Sequence, residues 1–185
     1  IFEVPSMIQV GEWSHNKTPI PQQIRIMVDI LKYLVDECGD NNSVYYSVEN
    51  NTIGEAALMS IAEVGEENIP GFFLTEPKSH GNARTYRRGF NTTHRSKLTV
   101  CAKFKTLVET EKVKINSKPL ISELKSFIAS GNSYAAKVGD TDDLVMATLL
   151  VMRMAQTLKS YNPELDSHMA DSDDYNVEPM PFIMV

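Results

Sequence analysis

The segment that most constrains this chain is its most apolar one. Leu144-Val145-Met146-Ala147-Thr148-Leu149-Leu150-Val151-Met152 carries no charge, and Thr141-Asp142-Asp143 runs straight into it. A helix that is apolar all round has to be buried all round. The run is far shorter than the roughly 20 residues that span a bilayer. It therefore belongs inside a soluble core, with a pair of acids held at its mouth.

The rest of the chain supplies layers to bury it. Ser6 to Trp13 reads as a strand with Met7, Ile8 and Val10 as its apolar positions. Ile24, Met27, Val28, Leu31, Leu34 and Val35 recur at helical spacing, and Gly39-Asp40-Asn41-Asn42 ends that helix. A strand is predicted from Val44 to Val48, closed by Glu49-Asn50-Asn51. Thr52-Ile53-Gly54-Glu55 has the form of a capping box opening a helix that stops near Gly65. Pro70-Gly71 precedes a short strand, Phe72-Phe73-Leu74, and Pro77 to Thr92 reads as a loop or hairpin.

Further on, a helix is predicted from about Ser96 to Lys112, presenting Cys101, Phe104, Leu107 and Val108. Val113 to Ile115 reads as a brief strand. Pro119 is placed as the first residue of another helix, with Leu120, Ile121, Leu124, Phe127 and Ile128 inward. Gly131-Asn132 is a turn before an extended Ser133 to Lys137, and the apolar helix runs to about Lys159. From Asn162 acids appear without Lys or Arg, which predicts a mostly disordered acidic tail over 162–185 and a domain over 1–161. Alternating strands and helices give an α/β sheet covered on both faces. Ligands of such sheets gather at the carboxyl ends of strands. Glu49 stands at one.

Composition excludes several classes. With 185 residues and 42% hydrophobic content the chain suits one domain. Cys38 and Cys101 alone make neither a disulfide framework nor a zinc cluster, so a reducing, cytoplasmic setting fits. The histidines show no metal spacing, and no phosphate-binding glycine motif is present. No membrane partner is expected. Net charge is −6, yet residues 78–118 hold 11 Lys/Arg against 2 Asp/Glu, a local +9, leaving −15 elsewhere. A basic strip on an acidic protein is a plausible polyanion footprint; an ordinary solvated face explains it as well.

Asp142, Asp143 and Glu49 are the candidate chemistry. Carboxylates on rigid elements are the oxygen ligands that a Mg²⁺ site uses. The ordinary alternatives are an acidic helix cap for Thr141-Asp142-Asp143 and a loop-bonding residue for Glu49. Against the first, unpaired charge held near an apolar interior is costly, and a metal would remove that cost.

Taken together, these segments resemble one family. Ser47-Val48-Glu49-Asn50-Asn51-Thr52-Ile53-Gly54 resembles the strand-end glutamate motif of the large terminase subunits of tailed, contractile phages. Thr93-His94-Arg95-Ser96-Lys97 and the helix after it are similar to that family's basic segment. Gly131 to Ala136, then Gly139-Asp140-Thr141-Asp142-Asp143-Leu144-Val145-Met146, resembles its last acidic motif, in the same order. The closing Asp173-Asp174-Tyr175 and apolar terminus fit the same pattern, so the likeness covers nearly the whole chain.

The resemblance implies an RNase H-like nuclease domain: a mixed sheet flanked by helices, with an acidic triad holding two Mg²⁺ ions, Mn²⁺ being a substitute. It assigns Glu49 and Asp143 as catalytic metal ligands, with Asp142 a ligand or an orienting neighbour. Arg84, Arg87, Arg88, Arg95 and Lys97 become the expected DNA contacts. The implied task is cutting concatemeric double-stranded DNA during headful packaging, in the host cytoplasm. The implied partners are the portal, the small terminase subunit and an upstream ATPase part. The family's third acid stands on a first strand. This sequence opens at Ile1-Phe2, inside what matches the second strand, so a fragment, a processed product or half of a split protein is expected, with the first strand missing. A catalytically silent DNA-gripping or portal-docking module is the alternative. A resolvase- or integrase-like nuclease is a third reading that the basic segment and tail match less well.

Overall fold

The computed structural model describes residues 1–77 and 88–170. The described residues form a mixed α/β fold of six α-helices and three two-stranded sheets. The chain opens with an antiparallel hairpin, β1 (Phe2–Glu3) and β2 (Ile8–Gln9). The strand expected over Ser6 to Trp13 is thus only two residues long. Gln9, a polar residue between apolar ones, is buried: its Oε1 accepts from the N–H groups of Asn116 (3.2 Å) and Ser117 (3.0 Å). Val113 to Ile115 contributes one parallel bridge, Lys114 to Ile8, in place of a strand.

Helix α1 (Ile20–Cys38) buries Ile24, Val28 and Leu31, as its spacing predicts, and Gly39 closes it by donating to the Val35 carbonyl at 2.9 Å. Strand β3 (Tyr45–Tyr46) pairs in parallel with β4 (Phe72–Phe73). Helix α2 (Thr52–Val64) lies between them in sequence. α1, α2 and the inner face of β3 share a core of Ile24, Val28, Leu31, Tyr46 and Ile61. The far edge of β3 is open: among the described residues the backbone N–H and C=O groups of Tyr45 and Ser47 take no partner.

The second half holds α3 (His94–Glu109), α4 (Lys118–Ser126), the hairpin of β5 (Phe127–Ser130) and β6 (Ser133–Ala136), α5 (Asp143–Leu158) and α6 (Pro163–Met169). Two expectations fail here. The helix opened by Ser117 stops at Ser126, so Phe127 and Ile128 belong to a strand and Ile128 is exposed. Pairing with β6 in a hairpin overrode an apolar spacing that also suits a helix. Within the stretch read as tail, Asn162 caps α6, and Leu165 and Met169 are buried in the main core. Two apolar residues four apart were enough to anchor this seven-residue acidic helix. Residues 171–185, including Asp173 and Asp174, lie outside the described residues.

Helix α5 is the hub. Val145, Leu149, Met152 and Ala155 enter the main core with Phe104, Leu107, Leu120 and Leu165. Met154, on another flank, joins Leu74 and Phe90, with Leu150 against them. The apolar run therefore serves two cores and binds the halves of the fold together. Burying each large side chain fully contributes about 1.5–3 kcal/mol.

Candidate functional site

Glu49 is fixed by its backbone. Phe90 donates to the Val48 carbonyl (3.1 Å), and Asn50 donates to the Phe90 carbonyl (2.7 Å), so Glu49 and Phe90 form a parallel bridge. The Asn50 side chain is buried and donates to the Arg88 carbonyl at 2.8 Å. On the other flank α2 starts so close that a Cβ on Gly54 would lie 1.7 Å from the Glu49 carbonyl oxygen. Only glycine fits there. The capping box expected from Thr52 is replaced by Asn51, whose Oδ1 accepts from the Gly54 N–H at 2.8 Å. The Asn51 Nδ2 donates to the Glu49 carboxylate at 3.2 Å. The strand-end carboxylate is half-buried, rigidly mounted and, among the described residues, held by one neutral donor.

The acidic pair has a different support. Asp142 stands at the N-cap position of α5, but its side chain caps nothing. The amides it would serve are taken by Glu123, from the middle of α4. Glu123 Oε2 accepts from the N–H groups of Leu144 (2.8 Å) and Val145 (3.1 Å), and Oε1 accepts from the Thr141 hydroxyl (3.0 Å). Asp142 turns instead to Lys97, 3.8 Å away, and the two side chains are only 29% and 17% exposed. Asp143 is exposed. Glu123 has no local sequence signal: it lies 21 and 22 residues before the amides it caps.

The basic residues separate. Arg84 and Arg87 lie outside the described residues. Arg88 pairs with Glu66 and stacks over Phe73 at 4.9 Å, so its charge is engaged by the protein itself. Arg95 is exposed on the first turn of α3. Lys97 lies over the Phe127 ring at 5.4 Å while reaching Asp142. Cys101, one turn along, has its thiol pushed up by burial, with Lys97 pulling the other way.

One residue escaped the sequence reading although a signal was there. Beyond Asp143 in its first turn, Arg153 is the single charge of helix α5, and it is buried. It pairs with Glu76, donates to the Asn91 carbonyl at 3.1 Å and stacks over Phe90 at 5.2 Å. It ties α5 to the segment that bridges to Glu49. A cleft of about 330 Å³ opens beside it, lined by Glu76, Phe90, Gln156, Ser160 and Tyr161 among others, and holds none of the predicted site residues.

The structure thus joins Lys97 to Asp142 and, through Phe90, Glu49's strand to the later part of α5. Leu150 and Met154 are seven and eleven residues beyond Asp143, roughly 10–16 Å along the helix axis. Among the described residues, no three His, Cys, Asp or Glu side chains converge as a metal-holding group. None of the helices described is long and apolar enough to cross a membrane. No protein-family model matches this chain.

Proposed function

We propose that this chain is the nuclease portion of a DNA-packaging terminase of tailed, contractile phages, an RNase H-like domain that cuts concatemeric double-stranded DNA with Mg²⁺. One observation carries the reading. Glu123 caps α5, so Asp142 and Asp143 are not needed as helix caps and are left for other work. The parallel β3–β4 pair with an open edge leaves room for a further strand beside Glu49, as a larger mixed sheet requires.

The donor set fits a hard divalent cation in kind. Glu49 at a strand end and Asp143 at a helix start are each hard oxygen donors, and the strand of Glu49 meets α5, through Phe90, about two to three turns beyond Asp143. Two carboxylates are short of what two metals need, so a further acid has to join them. The ions, when bound, would polarise the phosphate and stabilise the leaving oxygen. Asp142 keeps Lys97 close to that position, and Arg95 offers an exposed positive charge on the same helix turn. Phosphate contacts of this kind position DNA without reading its sequence. The portal, the small terminase subunit and an upstream ATPase part are the partners this reading carries.

The test pairs binding with cutting. Mn²⁺ or Mg²⁺ at tens of millimolar should raise the melting temperature of the wild-type chain, and Asp143→Asn should remove the shift. The chain alone should nick duplex DNA feebly or not at all. A supplied strand bearing an aspartate, in cis or co-expressed, should restore Mg²⁺-dependent cutting that Glu49→Gln abolishes. No metal shift and no restored cutting, with salt-dependent DNA binding intact, would leave the DNA-gripping or portal-docking module as the better account.

A further inference from the structure

Four helices of the described fold are capped by the residue immediately before them: Asn51 for α2, Thr93 for α3, Ser117 for α4 and Asn162 for α6. Helix α5 is not. The residue in that position, Asp142, belongs to a residue type favoured as a cap, and its own targets would be the second and third helical amides. Those are Leu144 and Val145. Both are already bonded to one oxygen of Glu123, which α4 brings in from across the core. The backbone of Asp142 (φ −128°, ψ 20°) lies away from the extended conformation that the other caps adopt. Its carboxylate has gone to Lys97 instead. Three acids therefore compete for one pair of amides, and the one furthest away in sequence holds them.

We propose that Glu123 is a positioning residue. By occupying the Leu144 and Val145 amides it keeps the Asp142 and Asp143 carboxylates turned outward, Asp142 to orient Lys97 and Asp143 to meet the cation. Thr141 locks the arrangement by donating its hydroxyl to the second oxygen of Glu123. This role rests on the metal-dependent reading above, but its first consequence is independent of any metal. With Glu123 removed, the vacated amides would draw an aspartate inward, and Lys97 would lose its partner.

The experiment uses Glu123→Ala, Glu123→Gln and, as control, Ser117→Ala, which removes the cap of α4 from the Leu120 amide. Carboxyl and amide NMR shifts and amide exchange of the metal-free chain are compared between the variants at one neutral pH. In wild type, the Leu144 and Val145 amides should show the shifts and slow exchange of bonded groups; in Glu123→Ala they should stay protected while the Asp142 or Asp143 carboxyl carbon shifts and the Lys97 side chain loses its partner. Glu123→Gln keeps an acceptor oxygen and should hold the wild-type arrangement. Mn²⁺-induced broadening then measures affinity. Glu123→Ala should weaken Asp143-dependent binding about tenfold, whereas Ser117→Ala should lower the melting temperature without changing affinity. The proposal is overturned if Asp142 stays on Lys97 in Glu123→Ala, or if Ser117→Ala weakens Mn²⁺ as much. Wild type lacking any Asp143-dependent broadening would sink the metal reading and the cation half of this role, while the amide shifts still decide the competition.

Discussion

The Arg153–Glu76 pair offers a test of how the two halves of the fold are joined, because its partners are unequally buried. Arg153 is 8% exposed at the side chain and Glu76 is 41% exposed. Removing the exposed partner strands a buried charge; removing the buried one leaves a carboxylate that water can solvate. Arg153→Met keeps most of the volume and forfeits the Glu76 pair and the bond to the Asn91 carbonyl. Bonds from a charged donor are worth about 1.5–3 kcal/mol each when well buried. Because Glu76 is half in water and the Met side chain buries well, a net loss of about 2 kcal/mol is expected. Glu76→Ala leaves Arg153 with the Asn91 carbonyl and the long 3.4 Å contact to Thr92, and removes the acceptor of the Asn91 N–H. That variant should cost more, about 3 kcal/mol. The double variant should cost clearly less than the sum, because the stranded charge is gone. Urea denaturation with a shared slope measures all three, and the 2 kcal/mol loss corresponds to a fall of about 4–8 °C in melting temperature. Strict additivity, or Arg153→Met being the worse single change, would refute the burial argument and the clamp with it.

Two more outcomes follow from single residues. Gly54→Ala would normally stabilise a helix by about 1 kcal/mol, but here its Cβ would meet the Glu49 carbonyl at 1.7 Å. A loss of about 2 kcal/mol is expected, with faster amide exchange at Asn50, and a gain in stability would show that Glu49 does not abut α2. The Tyr46 hydroxyl is pushed up to about 12, mainly by burial and then by Glu66, with Arg88 opposing. Its folded value lies above the unfolded one of about 10, so its contribution is complete below pH 10 and is lost as pH rises toward 12. Tyr46→Phe should flatten that alkaline fall, and an unchanged profile would count against the buried hydroxyl.

Much of this protein is written locally in its sequence. Helices α1, α2 and α5 begin and end within a few residues of where the apolar spacing, Pro and Gly put them, because those signals act over one or two turns. Strands at Tyr45–Tyr46 and Phe72–Phe73 and the turn at Gly131 come from equally local patterns, whereas the parallel pairing of β3 with β4 is a contact across α2. Distant contacts decided the rest. Phe127 and Ile128 fit a helix by spacing and became a strand because β6 was there to pair with them. Pro163 to Met169 reads as acidic tail until Leu165 and Met169 find the core. The acids of α5 show the limit most clearly: sequence marks Asp142 as a helix cap, but the better-placed carboxylate arrives from another helix. Which of several acids wins a pair of amides depends on where the folded chain carries each one, and no local pattern encodes that distance.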